Sequence, residues 1–254
     1  MKQYSTTYIF LFSAALCLAC STGISAAYVG LRDRQDENRL LDKQKSVLLA
    51  CQKIAPGEKV GRDEVLKRFS TIEPHVIDLA SGKVLDDVDP EAFDETAVEM
   101  VAAPKNNAQV LEIPTQVKVY NVMENGQLQM MVLPIYGKGL WSTLYGFIAL
   151  DADGNTVRGL TYYQHGETPG LGGEVDNPNW KNRWPGREIY GDNGSVAIEV
   201  IKGSAPPAAE APHQVDGLSG ATLTARGVTN MLKFWFGENG YGPYLAQLAN
   251  NGSA

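Results

Sequence analysis

At 254 residues the chain can hold one large domain or two small ones, and 44% apolar residues are enough for a buried core, which excludes a disordered chain. Acidic residues number 29 against 22 basic ones, a net charge of -7, which excludes a broad electrostatic grip on nucleic acid or anionic lipid. The three cysteines define no disulfide framework, because Cys17 and Cys20 lie in an apolar run and Cys51 stands alone.

Residues 8–31 carry no charge and include nine Leu, Ile, Phe and Val residues. At 1.5 Å per residue a helix over this stretch crosses a ~30 Å hydrocarbon core. Those nine side chains favour insertion by about 3 to 5 kcal/mol, partly offset by Ser, Thr and Gly. A transmembrane helix over 8–31 is therefore expected, with residues 1–7 before it on the cytoplasmic side. A cleavable signal peptide is the alternative, because Ser25 and Ala27 form a small-x-small site. A lipoprotein at Cys20 fits less well, since Cys17 stands where a branched apolar residue is needed. Cys17 and Cys20 form a CxxC, but no His or acid nearby completes a metal site, so they read as small apolar residues. Orientation is contested. Only Lys2 precedes the span, whereas Arg32, Arg34, Arg39, Lys43 and Lys45 lie after it, and positive-inside counting puts the remainder of the chain in the cytoplasm.

Beyond the span, Leu40, Leu41, Val47, Leu48 and Cys51 recur at helical spacing, so residues 32–60 are expected to be a linker helix that Ala55-Pro56-Gly57 stops. Residues 61–254 then form one domain. Residues 61–69 read as a short helix, and Asp89-Pro90-Glu91 has the cap, first-turn proline and acid that open another. Strands are expected over 116–122, 128–137, 144–151, 156–165 and 195–203, all rich in β-branched and aromatic residues. Asn125-Gly126 and Asp153-Gly154-Asn155 read as hairpin turns, which implies antiparallel pairing. The pattern is α+β: an antiparallel sheet with flanking helices, preceded by one N-terminal transmembrane helix. Residues 204–212 read as an exposed loop.

After that loop, Val228, Met231, Leu232 and Trp235 mark a helix that begins near Thr222 to Thr224 and stops at Gly237 and Gly240. Ser219, Thr222 and Thr224 cluster at its start among Gly217, Gly220 and Ala221. Small residues admit a ligand close to the backbone, hydroxyls hydrogen-bond it, and the free N–H groups of a helix start favour a phosphate. An ordinary capped helix would use the same residues. His75, His165 and His213 have no metal-ligand spacing and no metal is expected.

Residues 216–224, Asp-Gly-Leu-Ser-Gly-Ala-Thr-Leu-Thr, resemble the D-x-x-[ST]-G-A-T-x-[ST] flavinylation motif of the FMN-binding domain family, with every fixed position present. The resemblance implies that an exported, Mg-dependent flavin transferase moves FMN from FAD onto the last hydroxyl residue, here Thr224, as a phosphoester. Asp216 would then serve recognition by the transferase. Gly137-Lys138-Gly139-Leu140-Trp141 and residues 166–174, Gly-Glu-Thr-Pro-Gly-Leu-Gly-Gly-Glu, extend the likeness over nearly the whole chain to the C subunit of the Na+-translocating NADH:quinone reductase. Residues 172–180 are more similar to that family than to the G subunit of the Rnf electron-transport complex.

That resemblance implies an electron-relay subunit of a bacterial inner-membrane complex that oxidises NADH, reduces ubiquinone and exports Na+. It also implies partner subunits, and an FMN domain on the periplasmic side, against the charge count. Gly139, Leu140, Trp141, Thr168, Leu171 and Gly172 are candidate walls for the flavin, and Ser219, Gly220, Ala221 and Thr222 candidate phosphate contacts. Lys202 either neutralises cofactor charge or is solvated. The G subunit of an Rnf complex is the nearest alternative. A non-catalytic exported module that binds a polar ligand at the glycine-rich loops is an alternative of another class. With no GxGxxG, P-loop or second span, the chain alone neither binds NADH nor conducts an ion.

Overall fold

The computed structural model describes residues 5–55 and 57–251. Lys2, counted for the topology, and Pro56, counted for the helix stop, lie outside the described residues. The chain divides into two units, Met1–Asp42 and Lys43–Ala254.

The first helix, α1 (Thr6–Ala50), contributes its residues up to Asp42 to the first unit and those from Lys43 to the second. It is long and apolar enough to cross a membrane, and its apolar side chains from Tyr8 to Leu31 are exposed. The Leu40 end of the expected linker stripe is exposed too, whereas Val47, Leu48 and Cys51 are buried in the second unit. There the Ala50 carbonyl lies against Gly159, where no Cβ stands in its way. The helix at 61–69 forms as α2 (Arg62–Phe69), with Asp63 and Glu64 in its first turn and Lys67 and Arg68 in its last, the charge order that complements the helix dipole.

The second unit is built on a five-stranded antiparallel sheet of order β1-β4-β5-β6-β7. Its strands are β1 (Ile72–Asp78), β4 (Gln116–Glu124), β5 (Gln127–Lys138), β6 (Thr143–Asp151) and β7 (Val157–Gln164). Asn125 and Gly126 both take positive φ, 52° and 76°, the condition of the tight turn expected between β4 and β5. At the next hairpin Asp153 Oδ1 accepts from the N–H groups of Asn155 and Thr156, each at 2.8 Å. A small two-stranded pair, β2 (Met100–Ala102) with β3 (Glu112–Pro114), stands apart from this sheet. After β7 come two short helical turns, a 3-10 turn over Gly172–Asp176 and then α3 (Pro178–Lys181), which is opened by the Asn177 side chain and carries Trp180 into the core.

One face of the sheet meets α4 (Thr222–Trp235), whose Val228, Met231 and Leu232 share the main core with Met131, Leu133 and Ile135 of β5 and with Ile148 of β6. Gly137 continues that face of β5 and leaves room for Met231, whose Cβ would lie 2.9 Å from a Cβ at 137. On the other face the rings of Phe69, Tyr120, Phe147 and Tyr163 adjoin one another at centroid distances of 5.8, 6.0 and 5.3 Å. The last helix, α5 (Gly242–Asn251), has no counterpart among the elements expected from the sequence.

Two expected elements do not form. The strand over 195–203 is reduced to β8 (Glu199–Val200), paired in parallel with β9 (Gln214–Val215), plus a single bridge from Val196 to Tyr190. Its remaining N–H groups go elsewhere: Ala197 and Ile198 both donate to Ile189 O, and Val200 donates to the Thr229 hydroxyl on α4. Ile198 is fully buried, so the β-branched run fills the core without a ladder. Asp89-Pro90-Glu91 makes a side-chain turn in which Asp89 Oδ1 accepts from Glu91 N at 2.9 Å. The largely exposed residues after it offer no apolar stripe to stabilise a helix.

Candidate flavin-attachment site

Three segments converge at the start of α4: the β5–β6 turn (residues 139–142), the loop after β7 (residues 165–173) and the first helical turn itself. The helix enters through Gly220, whose φ of 69° is left-handed, and Ala221, whose methyl cannot accept from the first-turn N–H groups. A phosphate is the kind of ligand that such an uncapped start attracts.

Thr224 sits in that first turn with none of its surface exposed, and its hydroxyl donates to Glu167 Oε2 at 2.6 Å. Glu167 is itself only 5% exposed. Its Oε1 accepts from the N–H groups of Trp141 at 2.9 Å and Ser142 at 3.1 Å, and its Oε2 accepts from Leu140 N at 3.3 Å. Burial pushes the Glu167 carboxyl up, but the bonds from Thr224, Ser142, Trp141 and Leu140 outweigh it and hold the group below its ordinary value. The loop backbone is fixed in turn: Glu167 N donates to His165 Nδ1, and His165 Nε2 donates to Asp176 Oδ2 at 2.7 Å. Lys181 Nζ lies 3.0 Å from the other oxygen of Asp176.

Glycines make this closeness possible. A Cβ at Gly139 would stand 2.6 Å from Glu167 Oε1, and one at Gly172 would stand 2.6 Å from both Glu167 Oε2 and Thr224 Oγ1. Gly227 lies against the Lys138 carbonyl, which brings α4 onto the end of β5.

The expected site residues fall into two groups around the first turn of α4. Gly139, Leu140, Trp141 and Gly172 surround the Glu167–Thr224 pair, and Leu140, Leu171 and Trp141, the last 67% exposed, are apolar side chains open to solvent. Leu171 reaches Gly220, where a Cβ would meet its Cδ2 at 2.9 Å. The exposed Thr168 shapes the loop through its carbonyl, which accepts from Leu171 and Gly173. On the other side, Lys202, Asp216, Ser219, Gly220 and Thr222 line a cavity of about 620 Å³ together with Arg226. Ala221 is buried between the two groups. Asp216 is tied to its surroundings: Oδ1 accepts from Ala205 N at 3.0 Å, Oδ2 lies 3.5 Å from Arg183 Nε, and its carbonyl accepts from Trp180 Nε1 at 2.8 Å.

Sequence reasoning passes over Glu167, Ser142, Leu223 and Arg226. Leu223 is exposed beside Thr224 and lines, with Leu140 and Arg226, a second cavity of about 310 Å³. The available signal for Glu167 is a single carboxylate inside a glycine-rich loop. Together the parts suit FMN: solvent-open Leu140, Trp141, Leu171 and Leu223 for an apolar planar ring, and free helix-start N–H groups with Lys202 and Arg226 nearby for a phosphate.

The FMN-binding domain family matches residues 139–237, a stretch that holds the Glu167–Thr224 pair and both cavity linings of α4. The chain is 47% identical to the C subunit of the Na(+)-translocating NADH-quinone reductase of Yersinia pestis, over 92% of this chain and 89% of that one. To the subunit of the same name from Pseudomonas aeruginosa it is 46% identical over 97% of both. Its fold is similar to the crystal structure of Shewanella oneidensis NqrC, with a TM-score of 0.73 at 35% identity, covering 82% of this chain and 96% of that one. A crystal structure of the corresponding subunit from Parabacteroides distasonis gives a TM-score of 0.64 at 28% identity, covering 85% and 96%.

Proposed function

Because the chain belongs to the family of the C subunit of the Na(+)-translocating NADH-quinone reductase, an oxidoreductase complex, we propose that it relays electrons through FMN esterified to Thr224. The observation that carries this reading is the position of a threonine hydroxyl in the first turn of an uncapped helix, between two glycine-bearing loops with exposed apolar side chains. FMN held there supplies transfer of one or two electrons. The chain's own part is to hold and shield it. First-turn N–H groups with Lys202 and Arg226 would neutralise the phosphate, and Leu140, Trp141, Leu171 and Leu223 would cover the ring.

In this reading electrons gathered from NADH by other subunits pass through the chain towards ubiquinone, and Na+ export is the work of the complex. A transferase outside the membrane attaches FMN, with Asp216 contributing to its recognition of the motif. The domain therefore faces the periplasm of the inner membrane, with α1 as the anchor, although Arg32, Arg34, Arg39, Lys43 and Lys45 on that side run against positive-inside counting.

The test is covalent fluorescence. With the transferase present, the full chain should run as a fluorescent band under denaturing electrophoresis, and Thr224→Leu should be dark. Thr222→Ala, which loses a phosphate hydrogen bond of about 0.5 to 3 kcal/mol but keeps the acceptor, should only dim it. A bright Thr224→Leu band beside a dark Thr222→Ala band would move the attachment to Thr222; a dark wild-type band would end the flavoprotein reading.

A further inference from the structure

We infer that Glu167 takes the proton of the Thr224 hydroxyl as that hydroxyl is esterified, an inference that rests on the covalent-FMN reading above. The chain already holds the two groups as a reacting pair. The hydroxyl hydrogen points at Glu167 Oε2 over 2.6 Å, which leaves the oxygen's lone pairs free to attack. Glu167 does not depend on that hydroxyl for its place, because the N–H groups of Leu140, Trp141 and Ser142 grip it independently. The same grip keeps it ionised, and so able to accept, at neutral pH.

The step balances without any oxidation. The Thr224 Oγ1–phosphorus bond forms, the phosphorus–oxygen bond joining the FMN half of FAD to its AMP half breaks, and AMP leaves with that electron pair. The hydroxyl proton goes to Glu167. Charge also favours this route, since a carboxylate left ionised beside the new ester would set two anions side by side in a buried place. A protonated Glu167 can instead donate to an ester oxygen. Because Thr224 is fully covered and Gly172 lies directly over its hydroxyl, the 170–173 stretch must draw back for the attack, while the three N–H groups keep Glu167 in position.

The experiment uses the full chain, purified without flavin, with FAD, Mg2+ and the flavin transferase, and tracks the growth of covalent fluorescence from pH 6 to 9. Glu167→Gln keeps the size of the side chain, but its amide cannot accept a proton. At saturating acceptor chain its loading rate should fall by about 100-fold at pH 7, with an unchanged KM, and should climb about tenfold per pH unit as hydroxide replaces the lost base. Glu167→Asp, which keeps a carboxylate one methylene further back, should load at a rate between the two, and it decides the matter if the glutamine variant does not fold. Loading of Glu167→Gln within threefold of wild type, a change in KM alone, or Glu167→Asp no faster than the Thr224→Leu background would overturn the role of Glu167. A wild-type chain that never becomes fluorescent would instead defeat the covalent-FMN reading itself.

Discussion

The Glu167–Thr224 pair is the most constrained place in the site, and Gly172 is what leaves room for it. A methyl group at 172 would collide with both the carboxylate and the hydroxyl at 2.6 Å, so Gly172→Ala should break the hydrogen bond and cut covalent loading at least tenfold. Measured fluorescence per mole of chain checks this; undiminished loading would show that the loop has slack. The carboxyl of Glu167 also predicts a pH effect. Its folded value lies below the ordinary 4.5, so its contribution to stability is complete above the unfolded value and is lost as pH falls through the folded one. Denaturant titrations should show the wild-type chain losing more stability than Glu167→Gln between about pH 5 and pH 3. Parallel loss in both would mean that the pair adds nothing. Thr224 is legible from its motif because it is a residue type at a fixed spacing. Glu167 is not, because its importance comes from meeting a helix 57 residues away.

At the scale of elements, the site depends on how closely α4 lies on β5. Gly227 is the point of contact: a Cβ there would run into the Lys138 carbonyl and stand 3.1 Å from Gly139 Cα, backbone that cannot rotate aside. Gly227→Ala should therefore cost about 1 to 3 kcal/mol in chemical denaturation and also slow flavin loading, because the helix start moves away from the 139–142 turn. Full stability with normal loading would place the pivot elsewhere. The strands between 116 and 165 are readable because each is rich in β-branched and aromatic residues and two of the three turns between them carry Asn-Gly or Asp-Gly. The edge strand β1 is not, since Pro74 interrupts it; an edge tolerates proline because one side of the strand needs no ladder bond. The opposite error at 195–203 has a related cause. A β-branched run such as Val196 to Ile201 looks the same whether its N–H groups join a long ladder or, as those of Ala197, Ile198 and Val200 do here, bond to Ile189 and Thr229.

For the whole molecule, the charge count and the proposed flavin transfer make opposite demands on the side of the membrane that the second unit occupies. The proposed flavin transfer outside the membrane would require a periplasmic domain, so on that proposal protease added to intact spheroplasts should digest residues beyond about Arg32. Protection until lysis would uphold the positive-inside count and leave Thr224 out of the transferase's reach. Family membership decides in favour of the reductase's C subunit over the alternative of an Rnf G subunit. That choice is already visible in residues 172–180. In the fold, Trp180 from this segment donates to the Asp216 carbonyl and so ties it to the start of the flavinylation motif.

What the sequence determined by itself was everything encoded over short distances along the chain. The uncharged run from Tyr8 to Leu31 specifies a helix long and apolar enough to cross a membrane. Asn125-Gly126 specifies a tight turn by tolerance of positive φ, and the run from Asp216 to Thr224 specifies hydroxyl residues at a helix start. Only the tertiary structure decided what those hydroxyls touch. Burial of Thr224, its hydrogen bond to Glu167, the grip of Leu140, Trp141 and Ser142 on the carboxylate, and the clearance left by Gly139, Gly172 and Gly227 all arise between segments far apart in sequence. Local propensity carries no information about such meetings, because they are set by how α4 packs on the sheet.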